Sequence, residues 1–348
     1  MVAGDQRIEI MGESSVGPVH RIRIGRAPGL ELQVLDLGST MHALEVTCGD
    51  GVRRNVLLGH PSPQEYLDST AYIGGTIGRY ANRIAAGRFV LDGVEHQLGT
   101  HDRGNHLHGG PDGFDRRVWD IVEVGDDHAR LHLESPDGDQ GYPGSLHVSA
   151  RFSVAGEALQ LELEATTDAA TIVNLTSHAY FDLAGTGSID DHIITIPSDR
   201  YTPVDGTGIP TGGHVSVDGT PFDLRRPTEL GSAIRRAHPQ VVAAQGIDHN
   251  LVIDGSGPRP VATLESALAR LRLVVSSDQP GLQVYTGNFL DGTTRGTDGR
   301  LLRQGAGIAL EPQRFPDTPN RSEFGSAELR PGELYRSTIV WEFEPSPQ

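Results

Sequence analysis

Leu146-His147-Val148-Ser149-Ala150-Arg151-Phe152-Ser153-Val154 alternates apolar and polar side chains along its whole length. A period of two puts every second residue on one face of an extended chain, so the stretch reads as a half-buried antiparallel strand. The pattern recurs on both sides of it, at Leu30-Glu31-Leu32-Gln33-Val34-Leu35-Asp36-Leu37, at residues 129–134, 159–164 and 271–275, and in Ser337-Thr338-Ile339-Val340-Trp341-Glu342-Phe343. Asp92-Gly93, Asp137-Gly138, Asp254-Gly255 and Asp291-Gly292 read as turns between such runs. Helical signals are few. Ser62-Pro63-Gln64-Glu65-Tyr66-Leu67 carries a capping serine and an early proline, and residues 226–236 form a second candidate. No low-complexity linker or fixed-period repeat breaks the series. The expected fold is all-β: a large antiparallel β-sandwich with few short helices, covering 1–348 as one domain, with two separate β-domains as the alternative.

Composition narrows the functions open to such a fold. The 348 residues include 44 Gly and 22 Pro, which suits a chain of many turns. A formal net charge of -17 opposes nucleic acid and anionic membrane surfaces as partners. The chain has no lysine. That excludes Schiff-base catalysis, a pyridoxal-phosphate lysine and a P-loop lysine, roles arginine cannot fill because it keeps its proton. Cys48 is the sole cysteine, so neither an intrachain disulfide nor a multi-cysteine zinc site can form. No apolar run approaches membrane-spanning length, and residues 1–13 lack the basic and apolar regions of a secretory signal. A cytoplasmic location and a monomeric or homodimeric state are expected. Asn174-Leu175-Thr176 and Asn320-Arg321-Ser322 match the glycosylation pattern by accident on this reading.

Polar clusters far apart in sequence carry the candidate chemistry. Gly307-Ile308-Ala309-Leu310 delivers Glu311 to a strand edge, and Pro312 with the Pro- and Asn-rich residues after it reads as a turn that ends the strand. A carboxylate placed there suits a general base. In Asn105-His106-Leu107-His108-Gly109-Gly110 an extended backbone would point both histidines to one side. That arrangement opens a cupin-like metal site, but the carboxylate ligand it needs is missing. It also fits a solvated loop, or histidines acting as hydrogen-bond donors or acid–base groups. His178 sits among aromatics and small residues, a setting that suits either a satisfied core residue or a tunable acid. Asn82-Arg83 reads as a surface loop or as a fork of donors for sugar hydroxyls or an oxyanion. Asp248 lies in a short polar island, and Gln283 in a strand after a turn.

In this order, the tracts Ala81-Asn82-Arg83-Ile84, Leu107-His108-Gly109-Gly110, Asn174-Leu175-Thr176 with His178-Ala179-Tyr180-Phe181, and Tyr285-Thr286-Gly287-Asn288 resemble the aldose 1-epimerase family, the galactose mutarotases. The resemblance implies a cleft across one sheet of a large β-sandwich, a sugar substrate and no cofactor or metal. Its catalytic acid is matched by His178, its base by Glu311 and its second active-site histidine by His108. Asn82, Arg83 and the hydroxyl-binding Asp248 match substrate-binding positions. Gln283 and Arg314 occupy places that vary in the family.

The implied reaction is interconversion of α and β anomers of a free aldohexose such as galactose or glucose. The alternatives are a retaining glycosidase using Asp248 and Glu311, a hexose-6-phosphate 1-epimerase using Arg79 or Arg314 for phosphate, and a non-catalytic sugar-binding module. For a base that must be ionised and an acid that must be protonated, a bell-shaped pH profile is expected, its acid limb from Glu311 and its alkaline limb from His178. The neighbouring carboxylates are expected to raise the pKa of His178 above its ordinary value.

Overall fold

The computed structural model describes residues 6–346, so the start of the leader reading, residues 1–5, lies outside them. The alternating runs form antiparallel strands. The largest sheet has nine, in the spatial order Asp120–Val124, His128–Ser135, Leu146–Ala155, Ala158–Thr167, Tyr335–Pro345, Leu271–Ser277, Arg259–Ser266, Ile193–Thr195 and Thr228–Glu229. Its central ladders are in unbroken register, with Leu163 opposite Ala150 and Ser337. A six-stranded sheet holds Tyr180–Phe181, Ile308–Gln313, Gly281–Tyr285, Asp248–Val252, Arg200–Tyr201 and Val215–Ser216 in that order. A five-stranded meander covers Ile8–Ser14 through Arg53–Asn55.

One apolar core joins these sheets. Leu161, Leu273, Ile339 and Trp341 from the nine-stranded sheet share it with Leu251, Leu282, Val284, Ile308 and Leu310 from the six-stranded one. In the six-stranded sheet the alternation has a further result. Because Leu282, Val284, Ile308 and Leu310 turn inward to the core, Gln283, Tyr285, Ala309 and Glu311 must turn to the opposite face. That second face carries the candidate site.

Some local expectations give way to tertiary context. Asp291-Gly292 lies within the strand Asp291–Arg295 rather than in a turn; its glycine has φ +80°, and the ladder with Leu301–Arg303 is irregular there. Residues 226–236 yield only the helix Leu230–Ala233, because Thr228–Glu229 joins the large sheet as an edge strand. The expected helix after Ser62 forms over Pro63–Asp68, although the Ser62 hydroxyl bonds Glu65 Oε2 instead of capping a backbone N–H. A further helix, Pro239–Ala244, carried no signal strong enough to anticipate it. Pro312 does not end its strand, which runs on to Gln313. The Tyr180–Phe181 neighbour reaches only Ile308 and Ala309, so at Pro312 one strand edge is unpaired and the missing N–H breaks no ladder on that side. The Pro312 carbonyl accepts from Thr176 Oγ1 at 2.8 Å.

Among the described residues no helix is long and apolar enough to cross a membrane. The buried alternating faces hold the fold together, and this predicts a contrast between two leucine/valine truncations. Leu161→Ala, at a fully buried core position, is expected to destabilise the protein by about 2–5 kcal/mol in urea unfolding. Val122→Ala, 49% exposed on the outer strand, should shift it by no more than about 0.5 kcal/mol.

Candidate active site

The six-stranded sheet supplies the floor. Asn250, Gln283 and Glu311 stand side by side on adjacent strands, with Asp248 and Tyr285 in the next row on the same face. Gln283 Nε2 donates to Asp248 Oδ1 at 2.6 Å, which ties the two rows together. All of Ile308–Gln313 is buried, so the Glu311 carboxyl is held out of bulk water.

Loops supply the opposite wall. Arg83 pairs with Leu107 in a short ladder, which brings Asn82 against His108. Asn82 N–H donates to His108 Nδ1 at 3.1 Å, and the Asn82 carbonyl accepts from His108 N–H at 3.2 Å. Both residues have left-handed backbone, at φ +68° and +50°, a conformation costing about 1–3 kcal/mol outside glycine. Gly109 must be glycine, since a Cβ there would meet the Gly78 carbonyl oxygen at 1.8 Å. Arg83 is fixed by Asp102, whose Oδ2 accepts from its Nε at 2.7 Å. Gly208 lies so close that a Cβ would sit 2.8 Å from the guanidinium carbon. His178 follows the short strand Thr176–Ser177, which pairs with Thr76–Ile77.

Asn82, Arg83, His108, His178, Asp248, Gln283 and Glu311 all line one cavity of about 470 Å³. Reading the sequence missed Tyr72, Asp102, Arg103, Tyr180, Tyr285 and Phe289, which line it too. Tyr180 and Tyr285 lie inside stretches already singled out, and Phe289 directly follows one of them. Tyr72 and Asp102 carry no motif of their own. Trp119 and Trp341, the two tryptophans of the chain, are buried in the core and do not line the cavity.

The paired His106/His108 reading fails. The strand ends at Leu107, and the left-handed turn at His108 sends the two rings apart. His106 Nδ1 instead faces the Gly99 carbonyl at 2.8 Å, and its ring stands edge-on to Tyr142. The donor atoms of His108, His178 and Glu311 do lie within 4.8 Å of one another, a metal-like spacing. However, His108 Nδ1 accepts a backbone N–H, which leaves the proton of the neutral ring on Nε2. That tautomer offers an N–H to an oxygen and no second lone pair to a metal. Arg79 and Arg314 do not reach the cavity: Arg79 donates to carbonyls of Ser135, Pro136, Pro143 and Gly144, and Arg314 to Ser326. Neither is available for a phosphate.

His178 Nε2 and Glu311 Oε1 stand 3.7 Å apart, close enough to act on two oxygens of one small molecule. His178 Nδ1 and Glu311 Oε2 have no partner among the described residues. Burial, the dominant cause, pushes the Glu311 carboxyl well above the usual carboxylate range; Asp248 adds to this and Arg83 opposes it. Burial lowers His178 to about 4 and takes His108 well below its usual 6.5, assisted by His178 and Arg83. The expectation that carboxylate neighbours would raise His178 is overturned: dry surroundings outweigh them.

A buried histidine–carboxyl pair, flanked by fixed donors and aromatic side chains, lines this cavity on one face of the sandwich. Solved structures share the architecture. A galactose 1-epimerase from Lactobacillus acidophilus NCFM superposes with a TM-score of 0.86 at 33% identity, over 98% of each chain. An aldose epimerase homologue from C. elegans gives 0.88 at 28% identity, over 94% of this chain and 99% of that one. The sequence model of the aldose 1-epimerase family matches residues 20–342. Galactose mutarotase of Mus musculus is 40% identical over 339 residues, 96% of this chain and 97% of its own. Aldose 1-epimerase of Escherichia coli K12 is 38% identical over 333 residues, 94% and 95% of the two chains. The chain belongs to the aldose 1-epimerase family, whose members are isomerases.

The site electrostatics predict the protonation state of its histidines. In ¹⁵N-resolved NMR at pH 6, His178 and His108 should both be neutral, with His108 carrying its proton on Nε2. Imidazolium signals from both at that pH would contradict the dry cleft.

Proposed function

We propose that the protein is a mutarotase that interconverts the α and β anomers of free aldohexoses such as galactose and glucose by general acid–base ring opening. The single observation that carries this reading is the buried His178–Glu311 pair, 3.7 Å apart, at a cleft whose size suits one monosaccharide. Opening the ring needs the C1 hydroxyl proton removed and the ring oxygen protonated. Glu311 takes the first proton as carboxylate, and His178 gives the second as imidazolium. Rotation about the C1–C2 bond presents the other face of the aldehyde, and the same groups run in reverse. The Nε2–H of His108 and the Arg83 guanidinium steady the oxygen on which charge develops. Asp248, shared with Gln283, and Asn82 hold hydroxyls, while Tyr180, Tyr285 and Phe289 offer apolar surface to the ring.

The shifted pKa values change how this pair works. With Glu311 raised and His178 lowered, the resting pair holds its one proton on Glu311, and the reactive arrangement has that proton on His178. Both tautomers carry one proton, so the rate follows the singly protonated pair. It falls at low pH as His178 takes a second proton near 4, and at high pH as the last proton leaves Glu311, above its ordinary 4.5. The bell survives, but its limbs exchange owners relative to the unperturbed assignment.

Polarimetry of fresh α-galactose tests the proposal. Glu311→Gln and His178→Asn should each lower kcat by at least about 10², and His132→Asn, on the outer sheet, should leave it unchanged. Near wild-type kcat in Glu311→Gln rules out the base.

The residual rates carry the pH signature. In Glu311→Gln the rate should only fall with rising pH, through the low value of His178. In His178→Asn it should only rise, through the raised value of Glu311. A falling limb at or above 6.5 in Glu311→Gln would contradict the exchanged limbs.

A further inference from the structure

Tyr72 lines the cleft beside both imidazoles. Its ring meets His108 edge-on at 4.7 Å between centroids and stacks against His178 at 5.8 Å. Among the cleft tyrosines, Tyr180 donates its hydroxyl proton to the Ala71 carbonyl at 3.0 Å, and the Tyr285 hydroxyl accepts the Phe289 N–H at 2.9 Å. The Tyr72 hydroxyl has no partner within the described residues. Filling space between two imidazoles would be served as well by phenylalanine. A phenol in a half-closed cleft normally finds a partner for its O–H.

The backbone supports the same reading independently. Tyr72 has φ +55°, a region that bulky side chains rarely enter. Within the cleft wall it shares this conformation with Asn82, Arg103 and His108, of which Asn82 and His108 are placed to grip substrate in the reading above. The loop is clamped to the strand region bearing His178: Gly74 N–H donates to the His178 carbonyl at 3.0 Å, and His178 N–H to the Gly75 carbonyl at 2.9 Å. The Tyr180 bond to Ala71 fastens its other side. A strained residue clamped on both sides is held in place rather than tolerated.

We propose that Tyr72 is a substrate-contacting residue whose phenol O–H donates to a hydroxyl of the bound sugar, adding a donor next to His108 that fixes how the ring lies over the His178–Glu311 pair. The inference rests on the mutarotase reading above and adds a specificity contact to it.

The test is Tyr72→Phe, which keeps the ring and removes one oxygen. Thermal unfolding should match wild type. The kcat/KM for galactose should drop about 3- to 10-fold, the size of one neutral hydrogen bond, and calorimetric affinity for galactose should drop by the same factor. Calorimetric comparison with the 1-, 2-, 3-, 4- and 6-deoxy derivatives of galactose separates contact from structure. Against the sugar lacking the contacted hydroxyl, wild type and Tyr72→Phe should be equal, while the loss persists for the others. An unchanged kcat/KM and affinity overturns the proposal, as does an equal loss against every deoxy sugar. If wild type itself fails to exchange anomers, the mutarotase reading falls, and the calorimetric comparison still decides whether Tyr72 touches the sugar.

Discussion

Glu311 lies on a strand buried on both faces, and the rest of the site follows from that constraint. One face of the strand belongs to the core through Ile308 and Leu310. The other is roofed by loops from the first half of the chain. A carboxyl so placed resists ionisation, because the protein offers little to replace its hydration. The cleft answers with Arg83 nearby, itself neutralised by Asp102, and with an imidazole that resists protonation for the same reason. A pair that shares one proton is the state this environment favours, and it is the state that the proposed ring opening and closing need.

The roof is fixed by backbone hydrogen bonds that hold strained residues in place. Asn82 and His108 grip each other through paired hydrogen bonds while both occupy left-handed backbone. The arrangement fixes the His108 tautomer, and so decides that this ring offers an N–H to the cleft. Gly109 and Gly208 contribute by having no side chain, one letting the turn pack on Gly78 and the other letting a loop close over Arg83.

Much of this was legible in the sequence, for a physical reason. Strands buried on one face must alternate, so the runs at residues 129–134, 146–154, 159–164 and 337–343 are plain to see, and each is a strand in the structure. Glu311 stands out as a carboxylate at the end of an apolar run, whereas His178, His108 and Asp248 are picked out by the resemblance of their tracts to the aldose 1-epimerase family. What escaped depends on contacts between distant segments. Pro312 continues its strand only because the neighbouring strand stops short. His106 departs from His108 because of one backbone angle. The direction of the His178 shift turns on how dry the closed cleft is, which composition does not reveal. Asp102 and Tyr72 gain their places from segments far away in the chain.

The central claim is that anomers exchange by opening the ring, with the C1–O1 bond kept intact. It is tested most directly with galactose carrying ¹⁸O at C1, followed by mass spectrometry while enzyme drives many rounds of anomer exchange. The account predicts that the label persists, washing out no faster than in enzyme-free buffer. Loss of label in step with anomer exchange would mean that C1–O1 is cleaved, as in a glycosidase-like substitution, and would contradict it.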